Sequence, residues 1–153
     1  MGIQVGQKAP DFELPDQDGK NVRLSDFLGK LNVILAFYPA DFTPVCTKEL
    51  CSFRDDLSRF QEKGAQVLGV SVQSQASKKK FAAKLNLNFP ILADEHKEVA
   101  KAYGVMGPLG LHTRRATFVI DKKGIIRHRD VEPLPIMRPD DAGLLRVLED
   151  LSR

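Results

Sequence analysis

A chain of 153 residues with 42% hydrophobic content is sized for one compact domain spanning 1–153, able to bury roughly 70% of the surface its unfolded form exposes. Its 23 basic and 20 acidic side chains leave a net charge of +3, a weak field of mixed sign that argues against a nucleic-acid partner. No apolar run approaches the roughly 20 residues a bilayer crossing needs. The start, Met1-Gly2-Ile3-Gln4, opens no apolar signal region, and Gly6 stands where a myristoylation signal takes Ser or Thr. The expectation is a soluble, cytoplasmic protein with no membrane partner. Two cysteines are too few for a disulfide-stapled scaffold, so any disulfide here is expected to be transient. His96, His112 and His128 lack the spacing of a zinc site, and no metal or cofactor is expected.

In chain order, the short alternating pieces 12–14 and 22–24 flank the turn signal Pro15-Asp16-Gln17-Asp18-Gly19 and predict a β-hairpin. Val33-Ile34-Leu35-Ala36-Phe37-Tyr38 is an unbroken apolar run, suited to a strand buried on both faces. From 44 to 63, Leu50, Phe53, Leu57 and Phe60 recur at steps of three and four, the stripe of an amphipathic helix that Gly64 can end. A second buried strand follows over 67–72, a helix over 77–87, an extended piece over 90–92 and a short helix over 97–103. Such alternation implies parallel strands joined by helical crossovers. Asp121-Lys122-Lys123-Gly124 separates 117–120 from 125–128 as an antiparallel hairpin, and Leu144, Leu145, Leu148 and Leu151 mark a closing helix. The fold class is α/β: a thioredoxin-like mixed central sheet flanked by helices, with an added N-terminal β-hairpin. Fold alone does not fix function.

The first central strand meets the long helix at Pro39-Ala40-Asp41-Phe42-Thr43-Pro44-Val45-Cys46, a common place for ligands to bind in α/β sheets. Pro44 suits the first helical position, which makes Thr43 the N-cap and Cys46 about the third helical residue. A sulfur there lies near unpaired amides and the positive end of the helix dipole, both of which favour thiolate. The thiolate gain alone is modest. A thiol of pKa about 6 is about 90% ionised at neutral pH against about 3% at the ordinary value, and nucleophilicity falls as pKa falls. Further groups have to serve the reaction. The alternative use of Cys46 is as one more small buried apolar residue, since it continues the stripe through Leu50 and Phe53.

Pro39, Thr43 and Cys46 spell P-x-x-x-T-x-x-C, which resembles the signature of peroxiredoxins; the continuation Cys46-Thr47-Lys48-Glu49-Leu50-Cys51-Ser52-Phe53-Arg54-Asp55 resembles the peroxiredoxin Q, or bacterioferritin comigratory protein, branch. Likeness extends from Ala9-Pro10-Asp11-Phe12 through Gly69-Val70-Ser71 and Phe89-Pro90-Ile91-Leu92-Ala93-Asp94 to Arg115-Ala116-Thr117-Phe118-Val119-Ile120-Asp121, and fades after about Val131. The resemblance implies a thiol-dependent peroxidase that reduces hydrogen peroxide and organic hydroperoxides. By it, Cys46 is the peroxidatic nucleophile, Thr43 orients the peroxide, Pro39 shields the sulfur and Arg115 stabilises the thiolate. Thr43 can offer a hydroxyl, and the first-turn amides further donors, to the charge that develops on the leaving oxygen.

The same branch implies that Cys51 resolves the Cys46 sulfenic acid as an intramolecular disulfide, recycled by thioredoxin or a similar dithiol, in a protein that is monomeric or homodimeric. Ideal helix geometry places the two Cα atoms about 8.6 Å apart, beyond the roughly 7 Å a disulfide allows. If the two sulfurs join, the first turns of the helix unwind. Thr47, Lys48, Cys51 and Ser52 fall largely off the apolar stripe, so little packing is expected to be lost. The alternative is a one-Cys peroxidase resolved by an external thiol. A thiol-disulfide oxidoreductase would ordinarily carry C-x-x-C, which is absent, and a non-catalytic holdase leaves the motif without a purpose. The Gly-rich stretch 104–110 lacks the strand-before, helix-after setting of a dinucleotide loop and reads as a flexible connection. Lys78-Lys79-Lys80 reads as a solvated helix face, and Pro133-Leu134-Pro135-Ile136-Met137 as a packed surface loop or a cover for the site or a partner.

Overall fold

The computed structural model describes residues 3–132 and 141–152; the Pro-rich stretch 133–139, and with it the reading of that stretch as a loop or a cover, lies outside them. A small antiparallel hairpin of β1 (Glu13–Pro15) and β2 (Asn21–Arg23) precedes the main sheet. The buried Asp16 carboxylate fixes its turn by accepting from the amides of Asp18 (2.9 Å) and Lys20 (3.0 Å), the Asx-type device that lets such residues mark turns. The main sheet comprises β3 (Asn32–Phe37), β4 (Ala65–Ser71), β5 (Ile91–Ala93), β6 (Ala116–Ile120) and β7 (Ile126–Val131), ordered β5-β4-β3-β6-β7. β4 is parallel to both β3 and β5, whereas β6 is antiparallel to β3 and to β7. The mixed sheet read from the element order is therefore present.

Helix α1 (Pro44–Glu62) crosses from β3 to β4, α2 (Gln75–Leu85) from β4 to β5, α3 (Glu98–Ala102) follows β5, and α4 (Asp141–Leu151) closes the described chain. Alternation along β3 divides the core. Ile34, Ala36 and Tyr38 join Leu50, Phe53, Leu57 and Phe60 of α1, Phe81 of α2 and Leu144, Leu145 and Leu148 of α4. Val33, Leu35 and Phe37 face the other way, toward the N-terminal segment and α3, where Tyr103 and Phe118 pack on Phe37. α2 starts two residues earlier than the pattern predicts, because Ser74 caps it by accepting from the Ser77 amide at 3.1 Å. It ends at Leu85 where Asn86 turns left-handed (φ 52°), a conformation Asn tolerates. The 104–110 stretch, read as a flexible connection, is tied at its base by a bridge between Met106 and Thr113 and by the Gly107 amide bonding the His112 carbonyl at 2.8 Å.

Lys78 departs from its expected solvated face. Its side chain is completely buried and paired with Asp41, while Lys79 and Lys80 are exposed. Helical spacing is the reason: Lys78, Phe81, Ala82 and Leu85 form the buried stripe of α2, so the lysine occupies a core-facing position.

Gly69 lets α1 and β5 approach β4 closely. A Cβ built there would lie 3.0 Å from Ile91 Cγ2 and 3.4 Å from Tyr38 Cε1, and both neighbours are fully buried. Gly69→Ala is expected to lower the unfolding free energy by about 1–3 kcal/mol, seen as a lower urea midpoint at unchanged slope; an unchanged midpoint would mean that the interior has room to give.

Candidate active site

The loop between β3 and α1 places the cysteine. Thr43 is extended (φ −88°, ψ 150°) and Pro44 opens the helix, which puts Cys46 at the third helical position as read from the sequence. The Thr47 amide already bonds the Thr43 carbonyl (2.9 Å), and Pro44 has no N–H, so Val45 and Cys46 supply the first-turn amides that lack an intrahelical acceptor. Thr43 is the N-cap by backbone position only. Its side chain makes no capping bond, and Oγ1 instead donates to the Ala40 carbonyl at 2.9 Å. While that bond is made, the hydroxyl has only lone pairs left to offer a further partner.

Cys46 is fully buried within the α1 core cluster, so the reading of it as a small apolar residue is true of its packing. Its sulfur nonetheless receives a strong donor. Arg115 Nη2 lies 3.1 Å from Cys46 Sγ, and Arg115 Nη1 donates to Glu49 Oε1 at 2.9 Å. Arg115 and Glu49 are each 1% exposed. Strand register brings the guanidinium here: Ala116 pairs with Phe37, so the preceding residue rises beside the end of β3, where the loop begins. Thr113 Oγ1 anchors the approach by donating to the Tyr38 carbonyl (2.8 Å).

Pro39 and Arg115 border a pocket of about 400 Å³ that Leu109, Leu111, His112 and Thr113 also line. The structure thus gathers Pro39, Thr43, Cys46 and Arg115 at one end of the sheet. Cys51, half-buried on α1, packs against the same core cluster and is unbonded, as is Cys46. Because α1 is continuous through both, the helical separation of about 8.6 Å applies. The expectation that unwinding this turn loses little packing is corrected: Glu49 and Leu50 lie between the cysteines and are buried. Opening the helix as far as Cys51 withdraws one side chain from Arg115 and another from the core.

Glu49 escaped the sequence reading. Its signal was an acidic residue three positions after Cys46, on the stripe that otherwise carries Leu50 and Phe53, where a charge requires a buried partner. A second buried polar group, Tyr38, Asp41, Ser71 and Lys78, backs the loop. Glu132 stands at the rim of the pocket; burial first, and Asp130 beside it, raise its pKa, which Arg115 opposes.

A thioredoxin-like sheet with a cysteine at a helix start, held by a buried guanidinium, defines a class of thiol proteins, and the comparisons narrow it. Residues 5–129 match the AhpC/TSA family, and the chain belongs to that family, in its peroxiredoxin Q and Bcp branch. It is 47% identical over 127 residues to the chloroplastic peroxiredoxin Q of Triticum aestivum, covering 82% of this chain and 58% of that protein. It is 41% identical over 160 residues to peroxiredoxin Bcp of Bacillus subtilis (strain 168), covering 99% of each. The chain thus spans 58% of the wheat relative's length. Among solved structures, peroxidoxin BcpB from Mycobacterium tuberculosis superposes with a TM-score of 0.85 at 37% identity, covering 98% of this chain and 97% of that one. Among the described residues, no helix is long and apolar enough to cross a membrane.

Glu49→Ala removes the carboxylate that accepts from Nη1 of the buried Arg115 guanidinium. It is expected to cost about 3–5 kcal/mol of unfolding free energy, whereas Glu49→Gln, which keeps an acceptor, costs less; equal losses in chemical denaturation would show that the guanidinium requires the charge of Glu49 and that a neutral acceptor does not replace it.

Proposed function

We propose that this chain is a thiol-dependent peroxidase acting as one thioredoxin-like domain, with Cys46 as its nucleophile. The observation that carries this reading is the Arg115 guanidinium donating to a sulfur at the start of α1. A charge-assisted donor and the first-turn amides both suit an anionic transition state at the sulfur. The Cys46 thiolate attacks the terminal oxygen of a hydroperoxide; the S–O bond forms as the O–O bond breaks, and the departing alkoxide or hydroxide leaves as alcohol or water after taking a proton. Cys46 becomes a sulfenic acid. Thr43 accepts a hydrogen bond from the bound peroxide and Pro39 walls the sulfur from bulk water. Glu49 holds the guanidinium in the plane that serves the sulfur.

Cys51 then attacks the sulfenic sulfur, releasing water and forming the intramolecular disulfide, which a dithiol such as thioredoxin reduces. The names of the relatives support the peroxidase class; the resolving step rests on Cys51 lying on the same helix, half-buried beside the core. Hydrogen peroxide and small organic hydroperoxides are the substrates, approaching through the pocket beside Pro39 and Arg115.

Rapid-mixing oxidation with thiol counting tests the assignment. Cys46→Ser is expected to abolish fast peroxide consumption, and Cys51→Ser to retain the first turnover. Intact mass of the peroxide-treated chain should fall by two hydrogens; a lasting sulfenic or sulfinic adduct would instead assign resolution to an external thiol. Arg115→Met is expected to slow oxidation by about a hundredfold or more, the cost of one donor to a developing anion, and a rate within threefold of the parent would remove Arg115 from the site.

A further inference from the structure

Lys78 is a buried ammonium that the chemistry above does not use. Its Nζ lies 3.0 and 3.1 Å from the two oxygens of Asp41, bonds Ser71 Oγ, and stands 5.2 Å from the centroid of the Tyr38 ring. Asp41 also accepts from the Tyr38 hydroxyl and from Ser77 Oγ, each at 2.6 Å. Gln73 completes the cluster, accepting from the Asp41 amide (3.2 Å) and donating to the Pro39 carbonyl (3.3 Å). β3, β4 and α2 are thus all tied to residues 39–41.

An apolar pair of similar volume would ordinarily stabilise a core as well as a buried ion pair does. Burial presses the Lys78 pKa down, while Asp41 and, more weakly, the charges at Cys46 and Glu95 hold it up. What the cluster supplies is position. Immediately after Asp41, Phe42 is 47% exposed with φ 66°, a left-handed conformation that a bulky residue holds only where its surroundings fix it. Thr43 and Cys46 follow within four residues.

Resting on the reading of Cys46 as the nucleophile, we propose that Lys78 is a positioning residue for the peroxide reaction. Through Asp41 it fixes residues 39–41, so that Thr43 and the sulfur stand in the attacking arrangement, and it confines the unwinding that precedes disulfide formation to the chain beyond Asp41.

The test separates the two steps. In a Cys51→Ser background, quenched-flow thiol counting with hydrogen peroxide measures Cys46 oxidation; in the chain with both cysteines, disulfide formation after a peroxide pulse measures resolution. Lys78→Met is expected to slow oxidation by about tenfold to a hundredfold, the scale of a misplaced reacting group, and to leave disulfide formation unchanged or faster. Ile126→Ala, a core substitution on the opposite face of the sheet, is expected to alter neither rate. Should Lys78→Met not fold, Asp41→Asn with Lys78→Met, which removes both charges together, is measured and expected to show the same split. Oxidation within twofold of the parent, or both steps slowed equally, overturns the proposal. Absence of peroxide-driven Cys46 oxidation in the parent chain would instead refute the peroxidase reading on which it rests.

Discussion

The site is organised by one buried guanidinium. Arginine does not give up its proton in a protein, so enclosing Arg115 obliges the interior to provide acceptors around it. Glu49 provides one and the Cys46 sulfur another. These partners can meet it only if β6 runs antiparallel beside β3, α1 begins directly after β3, and the carboxylate lies one helical turn beyond the cysteine. Strand order, register and helix phase are thus answerable to a single side chain.

Because Glu49 takes one edge of the guanidinium, the sulfur faces a cation already partly neutralised. Arg115 then serves as a pair of aimed donors more than as a net charge, which would suit the proposed reaction, whose negative charge moves from sulfur to a departing oxygen. The helix N-terminus adds amides that need no rearrangement. α1 is under two demands at once. Beyond Phe53 its stripe seals the core, whereas the turn from Cys46 to Cys51 holds the sulfur against Arg115 and has to yield if the two sulfurs are to join. The burial of Glu49 and Leu50 makes that turn costly to open while the sulfur is reduced. On the proposed reading, oxidation of Cys46 would change the group that Arg115 donates to, and with it one of the contacts holding the turn closed.

Local signals were legible and long-range ones were not. The stripe of α1, the apolar run of β3 and the turn residues Asp16 and Asp121 each announced their elements, because periodicity and turn chemistry are properties of neighbouring residues. Cys46 could be placed at the third helical position from Thr43 and Pro44 alone. Arg115 could be named only through likeness to a family, since its role depends on a cross-strand register that no local pattern encodes. Glu49 and Lys78 were missed for a shared reason: charge argues for exposure, and only their phase on an otherwise apolar stripe argued against it. The hydroxyl of Thr43 was assigned to the cap its type prefers, but the loop turns it toward Ala40.

Among the described residues, the buried Lys78–Asp41 and Arg115–Glu49 pairs lie at the same end of the sheet, where β3 and β4 deliver their C-terminal residues and the helices begin. Elsewhere the two faces of the sheet are lined mainly by aliphatic and aromatic side chains. That segregation has a physical logic. Parallel strands feeding helices expose amides and open a crevice at this end, so polar side chains placed here find partners that the apolar layers lack. Arg115 with Glu49 braces the sulfur from one side of the loop, and Lys78 with Asp41 braces the loop from the other. A short chain held between two buried pairs can keep a strained residue such as Phe42 in place, and the start of α1 that follows it inherits that fixed position.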